Sequence, residues 1–488
     1  MSRSLVWFRR DLRLGDHPAL AAAAESGPVL AVFVLDPALV SASGRARALA
    51  LRDALLSLDE DLGHRLCVVQ GSPVDEIPRL AEAAGADTVF SSADHGPYGA
   101  RRDAAVARAL AGSGRGFAPV GSPYAVTPGR VLTSNGTPYQ VFTPFRRAWY
   151  GRGWPAPSVS GRESADWLDP AAVGGASGST GSTETTEPAG SSKRTDPGAA
   201  LRETLCSLLG EGKAPLEVGE AAARARWQEF LDEGLEGYAE RRDRPDLDAT
   251  SRLGAQLKFG TIHPRTMLAD LAALGPTSGL DTALADSRDT FASELAWREF
   301  YADVLHHQPA SARENIDARW ERFPWADGGS ADEAFAAWRD GQTGYPIVDA
   351  GMRQLLAEGW MHNRLRMVVA SFLTKDLRVH WRRGARHFMD HLVDGDLASN
   401  QHGWQWTAGT GTDAAPYFRV FNPVTQGKRF DPEGDYVRRW VPELRDIEGA
   451  AVHRLREDGH GEYPAPIIDH AEARREALAL YDDVIRGS

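Results

Sequence analysis

The chain has 488 residues, a formal net charge of −12 at neutral pH and an isoelectric point near 5.7. That length allows about two or three domains, and the acidic balance excludes a uniformly basic nucleic-acid-binding protein while leaving room for a local basic patch. Only two cysteines occur, Cys67 and Cys206, which excludes a disulfide-stapled scaffold and any four-cysteine metal or iron–sulfur site.

Short apolar runs alternate with helical patterns over the first 130 residues. The runs predicted as strands lie at residues 5–8, 29–35, 66–69, 88–91 and 116–120. This alternation predicts a Rossmann-like α/β domain over residues 1–130, with a parallel sheet covered by helices on both faces. Neither a G-x-G-x-x-G nor a Walker A pattern follows the first strand, so a standard dinucleotide or ATP site is not expected there.

A different composition begins after this region. Residues 171–200 hold 6 Gly, 5 Ser and 5 Thr, which is typical of a flexible segment. We therefore place an interdomain linker over residues 131–200 and expect it to be partly disordered. Beyond it, a period near 3.6 recurs in six segments, which predicts an all-helical domain over residues 201–488. These segments are residues 221–238, 265–274, 287–306, 331–339, 348–358 and 363–380.

The sequence also bears on the compartment. No apolar run approaches the roughly 18 residues of a membrane span, and the first apolar run is too short for a signal-peptide core. Since the chain is also poor in cysteine, we expect a cytoplasmic protein with no membrane partner.

Residues 361–388 carry a local excess of positive charge. The segment contains six Arg and one Lys against one Asp, interleaved with aromatic and Met side chains. Such a pattern fits a nucleic-acid-binding surface, and it fits equally well a solvated helix face.

Two polar motifs lie in the helical region. Asp394 and Asp396 could bind a metal, accept hydrogen bonds from a ligand, or simply cap a loop between helices. The nearby histidines lack a zinc-ligand spacing, so no metal site is predicted. Residues 250–253 precede a helix and could either bind a phosphate or cap that helix. Since no G-x-S-x-G or H-E-x-x-H motif is present, an enzyme built on this chain would rely on a cofactor.

Taken together and in order, several motifs resemble the photolyase/cryptochrome flavoproteins over nearly the whole chain. The likeness is greatest to class I cyclobutane pyrimidine dimer photolyases of the deazaflavin-antenna type. The motifs lie at residues 5–14, 250–253, 294–300, 344–350, 360–367, 394–406 and 411–419.

The resemblance implies an N-terminal antenna domain and a C-terminal helical domain that binds FAD and DNA. It assigns a set of residues to the flavin: Tyr238, Thr250, Ser251, Arg252, Leu253, Arg298, Asn363, Arg366, Asp394, Gly395, Asp396 and Asn400. Arg366 and Asp394 are expected to form an ion pair beneath the flavin ring. Asn400 matches the position that faces flavin N5, where an amide favours the reduced anion because it offers no titratable proton.

The same resemblance assigns roles to aromatic and lesion-facing residues. Trp404, Trp381 and Trp325 are expected to relay electrons between the flavin and the surface, although the segment around Trp325 differs in length from the family pattern. The lesion pocket is expected to contain Glu294, Trp297, Asn363, Arg364, Met367 and Trp406. Met367 favours a cyclobutane dimer as substrate, because the (6-4) photolyase pattern has His at this position. Flat Trp walls and a soft Met side chain suit a flipped dimer.

The implied activity is the light-driven repair of cyclobutane pyrimidine dimers by electron transfer from excited FADH⁻, with Glu294 and Asn400 as catalytic residues. The implied partner is UV-damaged DNA, bound by a monomer. A light-sensing cryptochrome, a (6-4) photolyase and a plain electron-transfer flavoprotein are the alternatives. The antenna is expected to be 8-hydroxy-5-deazaflavin, or otherwise 5,10-methenyltetrahydrofolate, held by Arg47, Asp94 and Lys258. One departure is Gln401-His402-Gly403, where many relatives have Asn-Gly-Gly.

Overall fold

A computed structural model describes residues 2–159, 165–173, 198–413, 419–454 and 457–486. The chain forms two compact units. The first comprises residues 1–130, 153–229 and 252–276, and the second comprises residues 131–152, 230–251 and 277–488. Most of the segment expected to be disordered, residues 174–197, lies outside the described residues.

The first unit is built on a five-stranded sheet with the order β3-β2-β1-β4-β5 and parallel pairing throughout. Its strands are β1 Arg3–Phe8, β2 Val29–Leu35, β3 Leu66–Gln70, β4 Ala86–Ser91 and β5 Gly116–Pro119. The predicted α/β class is confirmed. Every residue of β2 is buried, as expected for a parallel strand covered on both faces.

Helices are numbered along the whole chain. Those of the first unit are α1 Pro18–Ser26, α2 Pro37–Val40, α3 Arg45–Asp61, α4 Pro73–Ala84, α5 Pro97–Gly112, α7 Ala199–Leu209, α8 Glu220–Glu229, α10 Gly254–Phe259 and α11 Pro264–Ala273. Those of the second unit are α6 Phe142–Arg152, α9 Tyr238–Arg241, α12 Thr282–His307, α13 Gly328–Arg339, α14 Pro346–Glu358, α15 Asn363–Ser371, α16 Trp381–His391, α17 Leu397–Ala408, α18 Pro423–Phe430, α19 Asp435–Trp440 and α20 His470–Tyr481. The predicted helical second region is confirmed as a fold class.

Segments far apart in sequence complete the first unit. The Glu220 carboxylate, on α8, accepts the backbone N–H of Leu14 at 2.7 Å. Arg265, on α11, donates to the buried Asp16 carboxylate at 2.7 Å. The loop that follows β1 is therefore held by residues more than 200 positions later in the chain.

The second unit differs from the prediction at two places. Residues 142–152 were assigned to a linker, yet they form α6, whose buried Phe142, Phe145 and Trp149 give it an apolar face. The segment 363–380 was expected to be one helix, but α15 ends in a π-helical turn at Phe372–Asp376. Arg378 then has a φ of 52°, and the His380 side chain accepts the Arg382 N–H at 3.1 Å as the N-cap of α16. The single period had concealed this break because apolar residues continue through it.

No helix in the described part of the chain has the length and apolar character needed to cross a lipid bilayer.

Candidate functional site

The second unit contains a cavity of about 400 Å³. Four helices and the loops beside them supply its walls, and many of the residues predicted from the sequence lie there. These are Glu294, Trp297, Arg298, Asn363, Arg364, Arg366, Met367, Asp394, Gly395, Asp396, Asn400, Trp404 and Trp406.

Helical spacing brings these side chains together. On α12, Glu294, Trp297, Arg298 and Tyr301 have the spacing i, i+3, i+4, i+7, so they share one face. On α17, Asn400, Gly403, Trp404 and Thr407 have the same spacing. The cavity is thus lined by one face from each helix.

Opposite charges meet at one wall of the cavity. Arg366 Nη2 lies 2.8 Å from Asp394 Oδ2, and Arg366 Nε donates to the Met361 carbonyl at 2.8 Å. Within the described part of the chain, Asp394 Oδ1 is buried and has no hydrogen-bond partner. A buried acceptor without a partner is costly, so this oxygen fits a ligand that donates an N–H or O–H.

Asn400 is held from the neighbouring helix. Its amide nitrogen donates to the carbonyl of Ala385, on α16, at 3.0 Å and to Gln401 Oε1 at 2.9 Å. The side chain therefore has a fixed position at the cavity wall.

Not every predicted flavin residue lies at the cavity. Tyr238, Thr250, Ser251, Arg252 and Leu253 are not among the residues that line it. Tyr238 is buried in an aromatic group with Phe230 and Phe291, at centroid distances of 5.5 and 5.6 Å. Arg252 and Leu253 belong to the first unit.

Sequence reasoning missed Arg242. Its Nη1 lies 2.6 Å from Glu294 Oε1, and both residues line the cavity. Burial opposes the charge of Arg242, but the neighbouring Glu294, Tyr238 and Asp243 together outweigh it and raise the pKa of the guanidinium above its usual value. No spacing rule predicts that Arg242 lies at the cavity. The sequence indicates only that it closely follows Tyr238, a residue assigned to the flavin.

Sequence reasoning also missed Phe142. Its ring stacks on Trp297 with centroids 3.6 Å apart and planes 10° apart. One face of Trp297 is therefore covered, and the opposite face is the one available to the cavity. Phe142 lay in the predicted linker, so no sequence signal pointed to this contact.

His402 packs behind the cavity and not at its surface. Its ring stacks on Tyr301, a lining residue, at 5.6 Å, while Nδ1 lies 2.7 Å from the Ala398 carbonyl and Nε2 lies 3.0 Å from Ser311 Oγ. The Ala398 carbonyl can only accept, so Nδ1 carries a proton and donates to it. Burial is the main cause that lowers the pKa of His402 from 6.5 to about 4.

This lowered pKa predicts a pH effect on stability. Between pH 6.5 and about 4 the unfolded chain binds a proton at His402 that the folded protein does not, so stability falls as the pH falls through that window. Across this window the free energy of unfolding falls by about 3 kcal/mol because of His402. Urea unfolding of the wild type and of His402→Gln at pH 7 and pH 4.5 measures it. Equal pH dependence in the two proteins would contradict the assignment.

The three predicted relay tryptophans occupy different surroundings. Trp404 is buried at the cavity wall, and Trp381 is fully buried with Nε1 donating to Asn315 Oδ1 at 2.8 Å. Trp381 and Gly384 lie one turn apart on α16, and a Cβ on Gly384 would stand 2.2 Å from the Trp404 ring. That turn of α16 therefore packs directly on Trp404. Trp325 is half-buried, 4.9 Å from the His380 ring, which precedes Trp381.

The first unit carries a second polar cluster at the carboxyl ends of its strands. Asp94, after β4, accepts the Gly96 N–H at 3.0 Å and lies 3.2 Å from Arg102 Nη2. Burial opposes the charge of Asp94, but Arg9 and Arg102 lower the pKa of its carboxyl. Asp36, after β2, accepts a short hydrogen bond from the Tyr98 hydroxyl. Parallel sheets bind ligands at this edge.

The other two predicted antenna residues lie elsewhere on the first unit. Arg47, on α3, is buried and donates to the Ala42 carbonyl at 3.2 Å, while Lys258 lies on α10. Among the described residues of both units, no group of three or more His, Cys, Asp or Glu side chains could hold a metal ion.

Comparison with known proteins gives matches over nearly the whole chain. Residues 4–160 match the DNA photolyase family, and residues 291–483 match the FAD binding domain of DNA photolyase. The chain is 41% identical to a deoxyribodipyrimidine photo-lyase of Halobacterium salinarum, over 98% of each protein. It is 39% identical to that of Escherichia coli over 100% of each, and 42% identical to that of Streptomyces griseus over 97% of this chain and 98% of the relative.

Solved structures give the same result. A bacterial class III photolyase from Agrobacterium tumefaciens matches with a TM-score of 0.84 and 35% identity, covering 100% of this chain and 98% of that one. An archaeal photolyase from Sulfolobus tokodaii with two FAD molecules matches with a TM-score of 0.80 and 27% identity, covering 99% and 100%. A Synechocystis cryptochrome matches with a TM-score of 0.82 and 27% identity, covering 98% and 99%.

Proposed function

This chain belongs to the DNA photolyase family, and from that membership we propose that the cavity of the second unit holds both the flavin and the flipped lesion. The chain is an enzyme that repairs cyclobutane pyrimidine dimers in DNA with light, and FAD is its cofactor. The proposal concerns which residues do this work. The observation that carries it is the meeting, in one cavity, of the charged pair assigned to the flavin and the aromatic walls assigned to the lesion.

The residues present fit the flavin. The partnerless Asp394 Oδ1 offers a buried acceptor, and Arg366 brings a positive charge to the same wall. When bound in its reduced form and excited by light, FAD supplies the electron that splits the dimer. Arg366 stabilises negative charge at this wall, and Asn400 presents an amide that cannot release a titratable proton. We propose Arg298, Asn363, Gly395 and Asp396 as further flavin contacts, since all of them line the cavity.

The remaining flavin residues carried over from the family do not line the cavity. We propose that Tyr238, Thr250, Ser251, Arg252 and Leu253 bind the pyrophosphate end of FAD. A Thr-Ser-Arg sequence just before a helix supports this role, because hydroxyls, backbone N–H groups and a guanidinium suit phosphate oxygens.

The lesion would lie between Trp297 and Trp406. The free face of Trp297 offers a flat apolar wall, and Met367 fills irregular space beside it. Glu294 Oε1 accepts from Arg242, which leaves its second oxygen to accept a base N–H. A flipped dimer is favoured over an intact base pair because damaged bases cost less to unstack.

We propose that electrons reach the cavity from the surface through Trp325, Trp381 and Trp404. The packing of the Trp381–Gly384 turn against Trp404 supports the inner step. The half-buried position of Trp325 beside His380 supports the outer one.

The polar cluster of the first unit is proposed as the antenna site. Asp94 of this cluster would hold 8-hydroxy-5-deazaflavin, with 5,10-methenyltetrahydrofolate as the alternative. Arg47 on α3 and Lys258 on α10 are proposed as further contacts on the strength of the family resemblance alone. The charged side chains of Asp94 and Arg102 at the carboxyl edge of the sheet support a polar ligand there. The absorption spectrum of protein purified from its native host distinguishes the two chromophores, and a folate spectrum would overturn the first choice.

We further propose that the enzyme acts as a monomer in the cytoplasm. The scarcity of cysteine supports a reducing compartment. Analytical ultracentrifugation checks the first point, and fractionation of the host cell checks the second.

The activity has a direct test. Reduced, FAD-loaded protein is illuminated with an oligonucleotide that carries one thymine dimer, and a matched sample stays in the dark. We expect the dimer to disappear only in the light. Intact dimers after illumination of reduced protein would show that the assignment fails, and repair of a (6-4) product instead would favour the alternative lesion.

A further inference from the structure

Two consecutive residues of opposite charge each form an ion pair with a residue that lines the cavity. Arg242 pairs with Glu294 on α12, and Asp243 pairs with Arg364 on α15, where Asp243 Oδ2 lies 2.5 Å from Arg364 Nη2. The first pair fixes Glu294, a residue of the proposed lesion pocket. The second pair occupies Arg364, a cation of the predicted lesion pocket whose guanidinium suits a DNA phosphate.

The surroundings of Arg364 hold its side chain in one place. The guanidinium carbon lies 4.5 Å from the centroid of the Phe430 ring, and Nη1 lies 3.8 Å from Met367 Sδ. About one fifth of the Arg364 side chain and one third of that of Asp243 are exposed, so a phosphate can approach the pair from solvent. Because the guanidinium is already positioned, exchange of one anion for another needs little rearrangement.

We propose that Asp243 is a specificity residue that masks Arg364 from undamaged DNA. This inference rests on the proposed function, because it assumes that Arg364 meets a phosphate when a dimer is bound. In the free protein the Asp243 carboxylate occupies the guanidinium edge that would otherwise take a phosphate in the same geometry.

The pairing of Asp243 with Arg364 weakens binding of undamaged duplex more than binding of dimer-containing duplex. Undamaged duplex is attracted through its phosphates, with counterion release that scales with the number of cations engaged. An arginine paired with a carboxylate contributes little to that sum. A flipped dimer adds stacking and base contacts in the cavity, which hold the adjacent phosphate against Arg364 long enough to displace Asp243. A partly exposed ion pair can be displaced in this way because its net contribution is small.

The test is the variant Asp243→Asn, which keeps shape and removes charge. Binding to a duplex with one thymine dimer and to the same duplex without it is measured in the dark over a salt series. We expect affinity for undamaged duplex to rise several-fold. The slope of the logarithm of the binding constant against the logarithm of the salt concentration should become steeper by about 0.9, the value for one added phosphate contact. Affinity for damaged duplex should rise less, so the discrimination ratio should fall.

Two controls make the result specific. Asp435→Asn also removes one carboxylate and frees Arg438 from an exposed pair, but neither residue lines the cavity, so its discrimination ratio should match the wild type. In an Arg364→Gln background, Asp243→Asn should no longer change undamaged binding, since the double-mutant cycle isolates the pair.

Other outcomes overturn the proposal. An unchanged ratio in Asp243→Asn, or the same change in the Arg364→Gln background, would show that Asp243 does not act through Arg364. A parallel loss of both affinities in a variant that still binds FAD would give Asp243 a positioning role only. Failure of the wild type to prefer damaged DNA would instead overturn the proposed function, so the two failures are distinguishable.

Discussion

Trp297→Ala is expected to weaken binding of dimer-containing DNA by about 1–3 kcal/mol, the range found for removing one aromatic platform from beneath a base. Phe142 covers one face of this ring at 3.6 Å, so a flipped base has only the opposite face to stack on. Affinity for undamaged duplex should change little, because that complex depends on phosphates. Competition binding in the dark with damaged and undamaged duplexes measures both effects.

Two further variants sharpen this result. Phe142→Leu leaves Trp297 in place but removes its stacking partner, and it should reduce damaged-DNA affinity by a smaller amount. Tyr150→Ala removes an exposed aromatic side chain of α6 that does not line the cavity, and it should behave as the wild type. An equal loss with both duplexes in Trp297→Ala would show that the ring supports the fold and is not a wall for the lesion.

Gly384→Ala is expected to destabilise the second unit by about 1–3 kcal/mol and to slow light-driven reduction of the bound flavin. The added Cβ would lie 2.2 Å from Trp404 Cη2 and 2.6 Å from Leu373 Cδ2, distances that no relaxed Cβ adopts. Because both neighbours are buried, Trp404 must move or α16 must shift. Urea unfolding measures the first effect, and the rate of flavin photoreduction measures the second.

The matched control for this change is Gly329→Ala. Gly329 is also helical, on α13, but an added Cβ would meet nothing within 4 Å. Stability should therefore stay constant or rise slightly, because alanine favours a helix over glycine. Wild-type stability and photoreduction in Gly384→Ala would refute the close packing of α16 on Trp404.

The parts of the fold that follow from local patterns could be predicted. Five apolar runs predicted the five strands, and an inner strand such as β2 needs a continuous apolar stretch because it is buried on both faces. The helical second region followed from its period. The break between α15 and α16 could not be predicted, because a π-turn and one residue with positive φ leave the apolar pattern intact.

The candidate site divides in the same way. Residues on one helix face, such as Glu294 and Trp297, follow from their spacing once the helix is assigned. Arg242 and Phe142 were missed because each contacts α12, at Glu294 and Trp297 respectively, from a distant part of the sequence. No periodicity records such a contact. The motif resemblance supplied much of the rest, and its flavin and relay roles remain predictions until tested.

The alternation of the two units along the chain limits how the protein can be divided. A fragment ending at residue 200 would contain the whole sheet but would lack Glu220 and Arg265. The Leu14 N–H would then lose its acceptor, and the buried Asp16 carboxylate would lose its cation. The first loss leaves a backbone N–H without a partner, and the second leaves a buried carboxylate without its cation, although Ser158 still donates to it. Autonomous expression of the sheet region therefore requires residues 201–229 and 252–276 to be supplied as well. After a single proteolytic cut just before residue 198, the N-terminal and C-terminal pieces should stay associated and unfold together, because each carries part of the first unit.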